Sequence, residues 1–201
     1  MTLKYYRSAT DNGGAIGDEI TSGQMNGLFP TLTVTEEVLG ADKFRKIWLE
    51  SDEDGVDMYM GIADPGLFEA YLFYVVNSND ENIGDLDPAA QDYFGGVVVK
   101  SATIGEFTFD NVSKTLFRDG EFILHKNRLY DIDTVTDNGT DTTVSISGDF
   151  DPVPEAGDWI TSMLNDTLDA NTPSPYWRNN VTPSNYDPQT DRNPVQIVMV
   201  V

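Results

Sequence analysis

The chain has 201 residues, and its 34 Asp and Glu against 12 Lys and Arg leave a formal charge of −22, which repels phosphate backbones and sets nucleic-acid binding aside. That length buries a sizeable core, and 39% apolar with 11% aromatic residues is too much for an acidic disordered chain. Without cysteine and with His125 as the single histidine, there is no disulfide framework, thiol nucleophile, thiolate zinc site or His-pair metal site.

The first 30 residues read as an N-terminal arm. Tyr5 and Tyr6 precede a polar, Gly-containing run over 8–14, and Ile16, Ile20 and a turn-like stretch over 23–30 follow without a period. Residues 31–34 alternate as a short strand. Over 43–50, Phe44, Ile47 and Leu49 stand among charges near a period of two, the pattern of a half-buried strand. Residues 51–57 form an acidic turn. Strands are expected over 58–62 and 68–76, parted by Asp64-Pro65-Gly66. A polar loop covers 77–88, one helical turn 89–94, and Gly95-Gly96 leads into strands at 97–100 and 106–109.

From 116 to 160 the text becomes a compact β pattern, with strands at 122–124, 129–135 and 142–146 and a hairpin turn at Asp137-Asn138-Gly139. Asp119-Gly120 and Gly157-Asp158 mark sharp corners where glycine suits positive φ, as in a small SH3-like or OB-like barrel. Residues 165–194 are polar and Pro-rich yet keep Tyr176, Trp177 and Val181, and 195–201 is strand-like to its last residue. Such an apolar run inserts into a sheet of its own chain or of a neighbour, and the first and last segments are expected to meet. No repeat of 20–50 residues is present. The expected fold is therefore mainly β: a β-sandwich from 31–99 plus 166–201 with a Pro-rich C-terminal arm, an inserted small barrel at 100–165, and the arm 1–30.

Acidic clusters are the densest candidate chemistry. Asp52, Asp54 and Asp57 come nearest to a Ca²⁺ loop, but glycine and the third acid are misplaced for an EF-hand, and solvated turn residues are the plainer reading. Asp85 with Asp87, Asp137 with Asp141, and Asp149 with Asp151 and Glu155 are similar. A carboxylate pair could hydrolyse a glycosidic bond, yet nothing selects one pair among 34 acids. His125 has no G-x-S-x-G elbow beside it and reads as a strand-end residue. No glycine pattern cradles a phosphate. No apolar leader follows the N-terminal basic residues and no stretch approaches 18 apolar residues, so a cytoplasmic product with no membrane partner is expected. Tyr176 and Trp177 beside Arg178 have the composition of an interface anchor, or of rings folded onto the chain's own sandwich.

Several phrases together resemble small structural proteins of tailed bacteriophages: a Gly-Gly-containing arm, Asn26-Gly27-Leu28-Phe29-Pro30, the strand Phe44-Arg45-Lys46-Ile47-Trp48-Leu49, then Tyr176-Trp177-Arg178-Asn179-Asn180-Val181-Thr182-Pro183 before a final apolar strand. The likeness covers roughly the first 80 and last 30 residues, and the barrel-like segment departs from it as an insertion. The resemblance implies a non-enzymatic virion component at the neck, tail or capsid, without cofactor, assembling with itself and with other virion proteins. Its interface residues would be Tyr5, Tyr6, Phe29, Trp48, Tyr176, Trp177, Arg178, Val198 and Val200. The alternative is a Ca²⁺-dependent carbohydrate-binding sandwich with Trp48 or Trp177 as the sugar platform.

Overall fold

The computed structural model describes residues 1–10, 13–20, 33–63, 69–74, 92–112, 114–182 and 197–201. In chain order the elements are β1 (Leu3–Thr10), β2 (Gly13–Glu19), α1 (Val34–Leu39), β3 (Ala41–Ser51), β4 (Val56–Ile62), β5 (Glu69–Tyr74), β6 (Tyr93–Phe94), β7 (Gly96–Val98), β8 (Ser101–Ala102), β9 (Glu106–Asp110), β10 (Phe122–His125), β11 (Arg128–Asp137), β12 (Asp141–Ile146), β13 (Trp159–Leu168), β14 (Ser174–Thr182) and β15 (Ile197–Val200). They form two antiparallel sheets, one of six strands ordered β2-β1-β3-β14-β5-β6 and one of nine that runs β15-β4-β13-β10-β11-β12-β9-β8, with β7 also on β13. The mainly β, sandwich-like expectation holds.

The start of the chain is not an arm. Leu3 to Arg7 pair in unbroken register with Ser51 to Ile47 of β3, Leu3 and Tyr5 pack on the core side, and Lys4 and Tyr6 on the other side reach Glu50. Alternation therefore exists in Leu3–Tyr6, but it is too short to stand out beside the glycines that follow. Residues 174–182 are likewise no arm, since β14 is a central strand bonded to β3 on one side and β5 on the other. Pro175 is tolerated there because it lies opposite Trp48 on the β3 side, one residue before the β5 pairing begins at Tyr176; a proline has no N–H to give a second neighbour.

Two local corrections have simple causes. Residue 33 does not continue a strand: the Thr33 hydroxyl accepts from the Glu36 N–H and the Glu36 carboxylate accepts from the Thr33 N–H, a capping box that starts α1. Tyr93 and Phe94 are strand rather than helical turn, because they pair with Phe73 and Leu72. Residues 89–91 lie outside the described residues.

The nine-stranded sheet curls on itself. Val97 pairs with Ile160, the Val99 N–H donates to Asp158 O and that of Lys100 to Thr108 O, and Ser101 pairs with Thr108. One extended segment over 96–102 thus bonds β13 at one end and β9 at the other, closing β13-β10-β11-β12-β9 into a small barrel. Gly120 and Gly157 turn its corners at φ +79° and +95°, as expected. The barrel is not a separable insert, however. Trp159 to Met163 of β13 pair within it, while Leu164 to Leu168 pair with β4 of the body, so the expected boundary at 165–166 falls inside a shared strand.

A seam of long-range bonds fixes body to barrel. The chain changes sheets at Gly95, and the Ser162 hydroxyl lies 3.0 Å from both the Gly95 nitrogen and oxygen. The Thr161 hydroxyl accepts from the Ile62 N–H, and the Trp159 indole N–H donates to Ile62 O at 3.0 Å. Two cores lie on either side. Phe107, Phe109, Phe117, Ile123, Ile132, Val144 and Phe150 fill the barrel; Ile47, Leu49, Met58, Met60, Ile62, Leu164 and Tyr176 fill the space between the six-stranded sheet and β4–β13. The last strand inserts as expected, but it pairs with β4 and not with β1, so first and last segments enter different sheets.

Candidate functional site

The acidic turn between β3 and β4 works as a clamp. Asp52 Oδ1 accepts from the Thr2 N–H at 2.5 Å, Asp54 Oδ1 from the Ala170 N–H at 2.8 Å, and Asp57 Oδ1 from the Thr167 hydroxyl at 3.0 Å. Asp52 is thus engaged by the first residues and Asp54 and Asp57 by the end of β13 and the residues just after it, and no group of three or more His, Cys, Asp or Glu placed to hold a metal exists among the described residues. Thr2 lowers the Asp52 carboxyl below its ordinary value through its N–H. The turn thereby ties the first residues and the β13–β14 connection together, joined by the Asn171 N–H on Ser51 O.

The aromatic candidates turn inward. Trp48 is 3% exposed, and Tyr176 and Trp177 are wholly buried. Tyr176 and Trp177 are neighbours on β14 and so point to opposite faces, which puts Tyr176 in the inter-sheet core and Trp177 with the barrel-side core. The Tyr176 hydroxyl donates to Asp166 Oδ2 at 2.6 Å. Lys46, itself buried, lies 4.8 Å from the Trp48 ring centre. No face of Trp48 or Trp177 is open to a partner or to a sugar, so the anchor and platform roles give way to packing. Tyr5 is half-buried, and burial raises its phenol above the ordinary value. Arg178 is set opposite Arg45 and Leu72 by backbone register, and Phe29 lies outside the described residues.

His125 is buried at the β10–β11 hairpin, with Nε2 3.2 Å from Asp158 Oδ2. That same oxygen receives the Glu155 N–H and Lys126 Nζ, both at 2.9 Å. The Glu155 N–H first, then Lys126, hold Asp158 down to about 2. His125 packs edge-on to Phe150. Its role is to tie a barrel corner. Among the described residues, a groove of about 340 Å³ runs over Arg7, Ser8, Thr10, Gly17 and Asp18 of β1 and β2, without the apolar and aromatic lining of small-molecule sites. A cleft of about 120 Å³ opens at the barrel end over Phe109, Phe117 and Val135 with Asn111 and Asp137 at its rim, well below the ~300 Å³ from which such sites begin.

A surface that the sequence reading touched only through Val198 and Val200 lies along β15. In antiparallel register Val198 stands opposite Gly61 and Val200 opposite Tyr59, and paired residues share a face. Tyr59 packs edge-to-face on Phe122 with ring centres 4.9 Å apart, and Phe122 is paired with Met163. Met163 lies over Gly61, where an added Cβ would meet its sulfur at 2.5 Å. Tyr59, Phe122, Met163, Val198 and Val200 thus make one charge-free strip on the outer face of β10-β13-β4-β15, opposite the face that buries Met58, Met60 and Ile62. All but Met163 are half-buried. Compared with known proteins, the chain matches no family model, no curated protein and no solved structure.

Proposed function

We propose that this chain is a structural protein of a tailed-phage particle, a multi-copy neck, collar or tail component that works by shape and contact and not by turnover. The observation that supports it best is the cross-braced seam, in which the Thr161 hydroxyl and the Trp159 indole N–H bond Ile62 almost 100 positions away and the buried Ser162 hydroxyl bonds Gly95, locking barrel and body into one unit through β13. Polar groups set out like this resist relative movement of the two lobes, which suits a part that bears load. The strong negative charge suits a position away from packaged DNA. The family resemblance of the NGLFP-like and YWRNNVTP-like phrases points the same way. A carbohydrate-binding module draws no support from the geometry, because both candidate platform rings are buried.

The test is genetic. Deleting the gene from the phage that encodes it should yield particles stalled in assembly, with heads and tails present but unjoined or tails malformed. Normal yields of infectious particles would contradict the proposal.

A further inference from the structure

We propose that β15 is the edge through which two copies of this chain pair, antiparallel about a two-fold axis at Met199, making one continuous sheet from two nine-stranded ones. This rests on the multi-copy reading and names the surface that would carry it.

An edge strand leaves a row of N–H and C=O groups open to any extended chain, and stable monomers blunt such edges with charge, proline, bulges or shortness. The other edges among the described residues are blunted. β2 carries Asp18 and Glu19 and its pairing with β1 is broken at Tyr6/Ser8 and Ser8/Thr10; β6 has only two residues; the barrel end is closed by residues 96–102. β15 reads Ile-Val-Met-Val, with no charge and no proline, and pairs with β4 without a register break. It has no second neighbour among the described residues.

Charge selects the occupant. Two chains of −22 repel each other across most relative placements. The strip of Tyr59, Phe122, Met163, Val198 and Val200 holds no Asp, Glu, Lys, Arg or His, and among the described residues exposed acids stand at its margins, Asp57 on β4 and Asp131 opposite Phe122. It is a surface where two copies meet without apposing carboxylates. The strand is also complementary to itself. With Met199 on the axis, Val198 of each copy faces Val200 of the other, and the two strips lie side by side on one face of the joined sheet, an isologous contact. Met199 keeps its place against the inter-sheet core, so pairing needs no repacking.

Light scattering over a concentration series tests this on the full chain, with far-UV circular dichroism on every sample to confirm folding. Wild type should rise from 22.2 kDa to twice that mass with concentration. Val198→Lys and Val200→Glu alone should each stay monomeric, since each sets like charges on both sides of the axis. Mixing the two variants should restore the dimer, because the register places these positions opposite one another; a misfolded variant would not be rescued. Wild type that stays monomeric throughout overturns β15 self-pairing, while the particle reading is then judged by the copies found in virions. Assembly unchanged in both single variants overturns the edge but leaves the multi-copy reading standing. Loss in each variant without recovery on mixing overturns the two-fold register.

Discussion

Gly96→Ala probes the seam at its tightest point. A Cβ at Gly96 would stand 2.3 Å from Cε2 and Cζ2 of Trp159 and 2.7 Å from its Nε1, so the indole must retreat by more than an ångström to reach ordinary contact. That ring is tethered, because its N–H donates to Ile62 O at 3.0 Å, the bond that ties β13 to the end of β4. Overpacking costs about 1–3 kcal/mol, and losing a hydrogen bond of this kind about 1 kcal/mol more, for a total of about 2–4 kcal/mol. The free energy follows from urea unfolding read by far-UV circular dichroism, at unchanged slope. In a Trp159→Ala background the three atoms nearest that Cβ are gone and the same substitution should cost under about 1 kcal/mol, a coupling that a double-mutant cycle reads directly. A cost within about 0.5 kcal/mol of zero in the wild-type background, or an equal cost in both, would refute the close approach of Gly96 and Trp159.

Trp177→Ala should cost about 3–5 kcal/mol of folding stability in the dilute monomer, measured by the same unfolding; a loss under about 1 kcal/mol would mean the ring is not in the core. The buried Trp48 indole N–H has no hydrogen-bond partner among the described residues, so Trp48→Phe should cost less than about 1.5 kcal/mol where Trp48→Ala costs about 3–5 kcal/mol; equal losses would contradict this. Millimolar Ca²⁺ should leave the melting temperature unchanged, because Asp52, Asp54 and Asp57 each serve a donor elsewhere in the chain; a rise of several degrees would overturn that assignment. Asp158 is held from 3.8 down to about 2 in the fold, so its contribution is full above 3.8 and is lost as pH falls through about 2. Melting temperature should fall over that window in wild type and less steeply in Asp158→Asn; parallel curves would show that Asp158 is not the group responsible.

The barrel was legible because its signals are local. Hairpin residues at Asp137-Asn138-Gly139, glycine corners and alternating strands lie within a few positions of each other, and β10, β11 and β12 fall where they indicate. β13 was not legible, since Thr161 and Ser162 are polar yet buried, and only the distant partners Ile62 and Gly95 account for them. β14 hid behind its proline and its asparagines, whose neighbours sit more than 100 positions earlier in the chain. The same distance effect governs the candidate site. Composition marks Tyr176 and Trp177 as high-value contact area, but whether that area meets the chain itself or a partner depends on what lies on each face of β14. Val198 and Val200 could be flagged from the apolar run alone, while Tyr59, Phe122 and Met163 join them only through the pairing of three strands remote in sequence.

The copy number of this chain in purified, salt-washed particles of the phage that encodes it, counted by quantitative mass spectrometry against a subunit of known stoichiometry, bears most directly on the proposed role. The account predicts a fixed, multi-copy number that survives washing. Absence from particles, or a sub-stoichiometric trace that washes away, would contradict it.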